Sequence, residues 1–183
     1  MEAQTQTPFQ AAIKPGIIMG LVALSTTYVA YFIDSSLLAS GYFVLVSFVI
    51  FFALVIYFGS QYRKELGGFM SFGTAFNFSF IAIVISGLVS LVGQILLFQV
   101  IDPSLPEVLG DITFENTLKM MESFGQNPDS MPSEALDKLR EQSASSFTLG
   151  GQIKNFGFGL IGFAIIALIL AAIIKKRDKS LDY

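Results

Sequence analysis

The string Gly157-Phe158-Gly159-Leu160-Ile161-Gly162 has the G-x-G-x-x-G spacing that can cradle a dinucleotide pyrophosphate. That chemistry needs a strand before the glycines, a soluble helix after them and an acid about twenty residues further on. Here the string sits inside an uninterrupted apolar run, where small residues instead let helices approach closely. Gly16 and Gly20, continued at the same spacing by Ala23 and Thr27, form a second edge of this kind, suited equally to packing within the chain or against another copy. Asp111 and Glu115, four residues apart, could place an acid–base pair on one helical face, although surface acids reach that spacing by chance. The chain has no His and no Cys, so thiolate nucleophiles, the usual zinc ligand sets and His-based triads are excluded. The expectation is a protein without catalytic residues, metal or cofactor.

A polar stripe offers a different chemistry. At 100° per residue, Ser79, Ser86, Ser90, Gly93 and Gln94 fall on one side of a helix, with Asn77 outside it. Such a stripe suits either a hydrophilic path for a small solute or hydrogen bonding between helices. Measured membrane contacts of the second kind average about 0.6 kcal/mol. A path for ions or protons recruits an ionisable residue near mid-membrane, and these runs contain none. Packing is the preferred reading of the stripe.

The elements that must position these residues follow from composition. Of 183 residues, 53% are hydrophobic and 14% charged, and the mean hydropathy is +0.66. Soluble domains carry about 25% charged residues. A net charge of −3 gives no basic footprint for nucleic acid. About 20 apolar residues are needed to cross roughly 30 Å of hydrocarbon, and four uncharged runs meet that test, at about 16–33, 40–59, 72–101 and 155–174. The expected fold is all-α, a single membrane domain over 1–183. The run at 16–33 exceeds the apolar core of a removable signal peptide, so a retained helix is expected there.

Orientation follows from the basic flanks. Lys14, Arg63, Lys64, Lys175, Lys176, Arg177 and Lys179 all fall on one side of a chain that crosses four times. The connection 102–151 carries nine acids against Lys119, Lys138 and Arg140. Both termini are therefore expected in the cytoplasm of a bacterial inner membrane, with the acidic connection outside. The basic residues are expected to contact anionic lipid, at about 1 kcal/mol each near the surface. Tyr28, Tyr31, Tyr42, Tyr57 and Tyr62 are candidate interfacial anchors.

The stretch from Gly67 to Ile101 is too long for one perpendicular crossing. Either residues 67–72 lie along the interface as an amphipathic element, which the double glycine favours, or the helix tilts and projects beyond the bilayer. In the acidic connection, Thr113 is expected to cap a helix ending at Gly125-Gln126-Asn127-Pro128, and Ser133 to cap a second with a Glu134–Lys138 pair.

Tyr62-Arg63, then Gly67-Gly68-Phe69-Met70-Ser71-Phe72 and Ala75-Phe76, with the closing Ala171-Ala172-Ile173-Ile174-Lys175-Lys176, resemble an uncharacterised four-span membrane family. It is a numbered domain of unknown function found mainly in Bacteroidetes. The resemblance covers most of the chain and implies an inner-membrane protein without assigned activity, encoded near a membrane glycosyltransferase. The function expected from all this is a non-enzymatic accessory, assembly or scaffold subunit, associating with that enzyme in envelope biogenesis or with further copies of itself. The alternative is a small oligomeric transporter or channel lined by the polar stripe.

Overall fold

The computed structural model describes residues 6–177, so Lys179 lies outside the described residues. Among the described residues there are six α-helices: α1 (Pro8–Ile33), α2 (Gly41–Glu65), α3 (Phe72–Leu96), α4 (Leu105–Ser123), α5 (Ser133–Ser145) and α6 (Leu149–Ile174). A π-helical turn, Leu97–Ile101, continues α3. There is no strand among the described residues, only an isolated bridge between Met70 and Lys176. With that turn included, α1, α2, α3 and α6 have 26, 25, 30 and 26 residues and are apolar enough to cross a membrane. At 1.5 Å per residue they reach about 38–45 Å, more than the hydrocarbon requires.

Each of the four long helices opens on a hydroxyl. Thr7 Oγ1 accepts from Gln10 N while Gln10 Oε1 accepts from Thr7 N, a reciprocal capping box with Pro8 in the first helical position. Ser40 Oγ accepts from Phe43 N, Ser71 Oγ from Thr74 N and Thr148 Oγ1 from Gly151 N. Each satisfies one of the donors a helix start leaves without a partner. The caps extend α1 and α6 beyond the uncharged runs, to Pro8 and Leu149.

The segment after α2 is a turn, not an amphipathic interfacial helix. Gly67 and Gly68 have φ of +86° and +91°. Gly67 N donates to Lys64 O and Gly68 N to Arg63 O, so α2 ends in a Schellman motif. Ser71 then starts α3 directly.

The chain divides into two compact units, 1–26 with 46–90 and 158–183, and 27–45 with 91–157. In the first, all four long helices contribute to one core. Met19 comes from α1, Val55 and Tyr62 from α2, Phe78 and Ile83 from α3, and Leu170 and Ile174 from α6. Glycine sets the approach of α1 to α3. A methyl at Gly16 would lie 2.8 Å from Ile85 Cβ, and one at Gly20 would lie 2.6 Å from Val89 Cβ and 2.9 Å from Ser86 O.

The glycine string of α6 is placed differently. A methyl at Gly157 or Gly162 would meet nothing within 4 Å, and one at Gly159 would meet only Phe163 of its own helix, at 3.6 Å. The intervening Phe158 and Ile161 are exposed. This edge is open in the described chain, because the packed face of α6 runs instead through Ala167, Leu170, Ala171 and Ile174.

In the second unit, Leu97, Phe98, Leu105 and Leu109 form a small core with Tyr28, Tyr31 and Phe147 around it. Here α4 starts at Leu105, so Thr113 lies inside the helix rather than at its cap. Asp102 accepts from Ser104 N and Oγ and Pro106 occupies the first turn, giving an earlier start than the Thr113 signal suggested. The end falls where the glycine predicted. Gly125 has φ +77°, donates to Glu122 O, and Gln126 N donates to Met121 O. Ser133 is the first residue of α5, whose cap is Pro132 with φ −57° and ψ 140° and no side-chain bond. Lys138 pairs with Glu134 at 2.8 Å. Gly110 seats α5 against α4, since a methyl there would lie 2.8 Å from Ala144 Cα.

Candidate functional site

The signature residues, about a hundred positions apart in sequence, meet in the first unit. Arg63 and Lys64 occupy the last turn of α2, where cations suit the helix dipole. Arg63 Nη1 reaches α6 and donates to Ile174 O at 2.6 Å, giving a partner to a carbonyl at that helix end. Immediately beyond, Met70 N donates to Lys176 O at 2.9 Å and Lys176 N to Met70 O at 3.0 Å. Lys175 Nζ lies 5.5 Å from the Phe72 ring centre and Lys176 Nζ 5.6 Å from that of Phe69. Both are cation–π distances. Gly67 and Gly68 supply the left-handed turn that delivers Phe69 and Met70 to this junction. The arrangement gathers Arg63, Lys64, Lys175 and Lys176 at one end of the first unit, with Phe72 and Phe69 beside the two C-terminal lysines.

Tyr62 is buried rather than interfacial. Its ring stacks on Phe78 with centroids 5.2 Å apart, and its hydroxyl donates to Gln6 O at 2.8 Å. The bulky ring fills core volume that a lipid-facing anchor would leave empty. In the second unit Tyr28 donates to Gly93 O at 3.0 Å and Tyr31 to Asp102 Oδ2 at 3.2 Å. Tyr42 and Tyr57 keep exposed rings.

The α3 stripe divides by depth of burial. Ser79 and Ser86 are 0% and 2% exposed, whereas Ser90 and Gln94 are partly covered. Ser79 Oγ has no hydrogen-bond partner. Asn77 is exposed.

Asp111 Oδ1 accepts from Arg140 Nη2 at 2.9 Å and Nε at 3.2 Å, so this acid clasps α4 to α5. No group of three metal-ligating side chains exists among the described residues. The Ser104 hydroxyl, assisted by Tyr31 and two backbone N–H groups, holds the Asp102 carboxyl below the usual aspartate range. Ser36 does the same for Asp34 at the start of the 3-10 turn Ser35–Ala39.

Four helices long and apolar enough to cross a membrane define a multi-pass α-helical membrane protein. A family model described as "Protein of unknown function (DUF4199)" matches residues 14–176. The chain belongs to that family, and the match begins at Lys14 and ends at Lys176 of the junction. No curated protein and no solved structure matches the chain.

The hydroxyl caps, the Arg63 contact to α6 and the Thr7–Gln10 box were not anticipated from sequence. Thr7-Pro8-Phe9-Gln10 carried a readable signal, a capping box with proline in first position. Nothing in the spacing of Arg63 and Ile174 could announce their contact.

Proposed function

We propose that this protein is a non-enzymatic accessory, assembly or scaffold subunit of a complex in the bacterial inner membrane. Both termini are cytoplasmic in this reading and the α4–α5 hairpin is outside. The observation that carries it is where α3 spends its polar residues. Ser79 and Ser86 lie within the packed first unit, with Ser86 O directly beneath Gly20. Groups lining an aqueous path would be wetted. The open glycine edge of α6 and the exposed Phe124 at the end of α4 leave surface for a partner. The partner class is a larger membrane protein, and a membrane glycosyltransferase of envelope-polymer chemistry is the first to test.

A second reading, a small oligomeric transporter, draws support from Ser90 and Gln94, which are only partly covered on the same α3 stripe. Extraction of chromosomally tagged protein in gentle detergent, followed by mass spectrometry, separates the two. The accessory role predicts a second membrane protein at comparable abundance. A chain recovered alone, with solute flux in liposomes that Ser86→Leu or Gln94→Leu abolishes, overturns it in favour of transport.

A further inference from the structure

We propose that the groove between α1 and α2 in the first unit binds the headgroup of one zwitterionic phospholipid carrying a primary ammonium. The groove encloses about 680 Å³, within the roughly 300–1,000 Å³ of small-molecule sites. Its two walls carry opposite charges, Lys14 from α1 and Glu65 from α2. No ion pair within 4 Å joins these two, and both are exposed along the groove rim. The cation is placed for a phosphate and the carboxylate for an ammonium. A bare anion would meet Glu65, and a bare cation would meet Lys14. Gln10 and Gln61 add amides to the same rim, with Gln61 steadied by donation to Tyr57 Oη at 2.8 Å.

Each wall grades from polar to apolar toward the middle of its helix. Ile18 lies one turn beyond Lys14, and Phe58 lies about 10 Å from Glu65 along α2. Phe78 of α3 closes the floor. An amphiphile with its charges at the helix ends and its chains running inward matches that gradient, whereas a free polar solute would leave the floor unmatched. Pro15 adds an acceptor. It has no N–H for the carbonyl of Ala11 four residues earlier, and both residues line the groove. An ammonium can donate to the Ala11 carbonyl, which Pro15 deprives of its i+4 N–H, and to Glu65. The site is separate from the Arg63–Lys176 junction and does not depend on the accessory role.

The test is native mass spectrometry of the full chain, delipidated in mild detergent and titrated with phosphatidylethanolamine or with anionic phosphatidylglycerol. One phosphatidylethanolamine should be retained per chain in preference to phosphatidylglycerol. Lys14→Met and Glu65→Gln should each reduce that retention about tenfold, the loss expected for one charge-assisted contact. Lys119→Met and Glu122→Gln, which change the same charges on α4 away from the groove, should leave it intact. Equal or stronger retention of phosphatidylglycerol that Lys14→Met lowers places the anionic lipid in this groove and overturns the proposal, whereas phosphatidylglycerol indifferent to Lys14 belongs to the basic junction. Retention insensitive to Glu65→Gln, or lowered as much by Lys119→Met as by Lys14→Met, overturns it as well.

Discussion

At the scale of single residues, the glycines separate into those that packing requires and those it does not. Gly20→Ala places a methyl 2.6 Å from Val89 Cβ and 2.9 Å from a backbone oxygen, so α1 and α3 must part. The cost should be about 1–3 kcal/mol, as for other overpacked sites. Gly162→Ala meets open space and replaces a poor helix former with the best one. Thermal unfolding in detergent should therefore show a lowered midpoint for the first variant and an equal or higher one for the second. Asp102 predicts a pH dependence. Its carboxyl titrates below the ordinary value in the folded chain, chiefly through the Ser104 hydroxyl. The folded state thus binds its proton less readily than the unfolded state does. That contribution is complete above the ordinary aspartate pKa and disappears as pH falls through the lowered one. The stability difference between the parent chain and Asp102→Asn should shrink on acidification across that window. A difference that stays constant or grows would remove the assignment.

At the scale of elements, the turn between α2 and α3 is the most demanding backbone feature. Gly67→Ala forces a side chain into the left-handed region at φ +86°, which costs about 1–2 kcal/mol. Arg63→Met removes the donor to Ile174 O without changing the turn. Both should lower the unfolding midpoint, and only the first should be relieved by Asn, which tolerates that conformation better. The spans were legible because hydropathy is summed over some twenty residues and hardly depends on neighbours. Starts and stops depend on one or two side chains, so they were read unevenly. Gly125 announced its Schellman turn, whereas Thr113 looked like a cap and lies mid-helix because Asp102 and Pro106 begin α4 earlier. The double glycine suggested an interfacial helix because its two positive φ values cannot be seen in composition. The Gly16–Gly20 spacing marked an edge for close packing without naming what packs there, which is α3, whereas Gly157, Gly159 and Gly162 meet no other helix among the described residues. Spacing tells which face is small and leaves open what faces it.

For the whole molecule, the proposed orientation is directly testable because the chain has no cysteine of its own. Lys64 and Asn127 are both exposed, and single Cys replacements there should differ in labelling by a membrane-impermeant maleimide. With both termini cytoplasmic, Asn127→Cys reacts from the periplasmic side, and Lys64→Cys reacts only after the membrane is opened. The reverse pattern would invert the topology. The charge asymmetry behind this expectation was plain in the sequence. The seam that unites Arg63, Phe69, Phe72, Lys175 and Lys176 was visible only as two fragments, since no local rule links residues so far apart.

The bridge between Met70 and Lys176 also sets an order of events during synthesis. A ribosome delivers α1, α2 and α3 long before it delivers α6. Until then Arg63 has no Ile174 carbonyl to reach, and Phe78 and Ile83 lack the Leu170 and Ile174 that complete their core. The nascent chain must hold three apolar helices with a vacant berth while α4 and α5 are made, and a stall at that stage would leave apolar side chains without the contacts meant for α6.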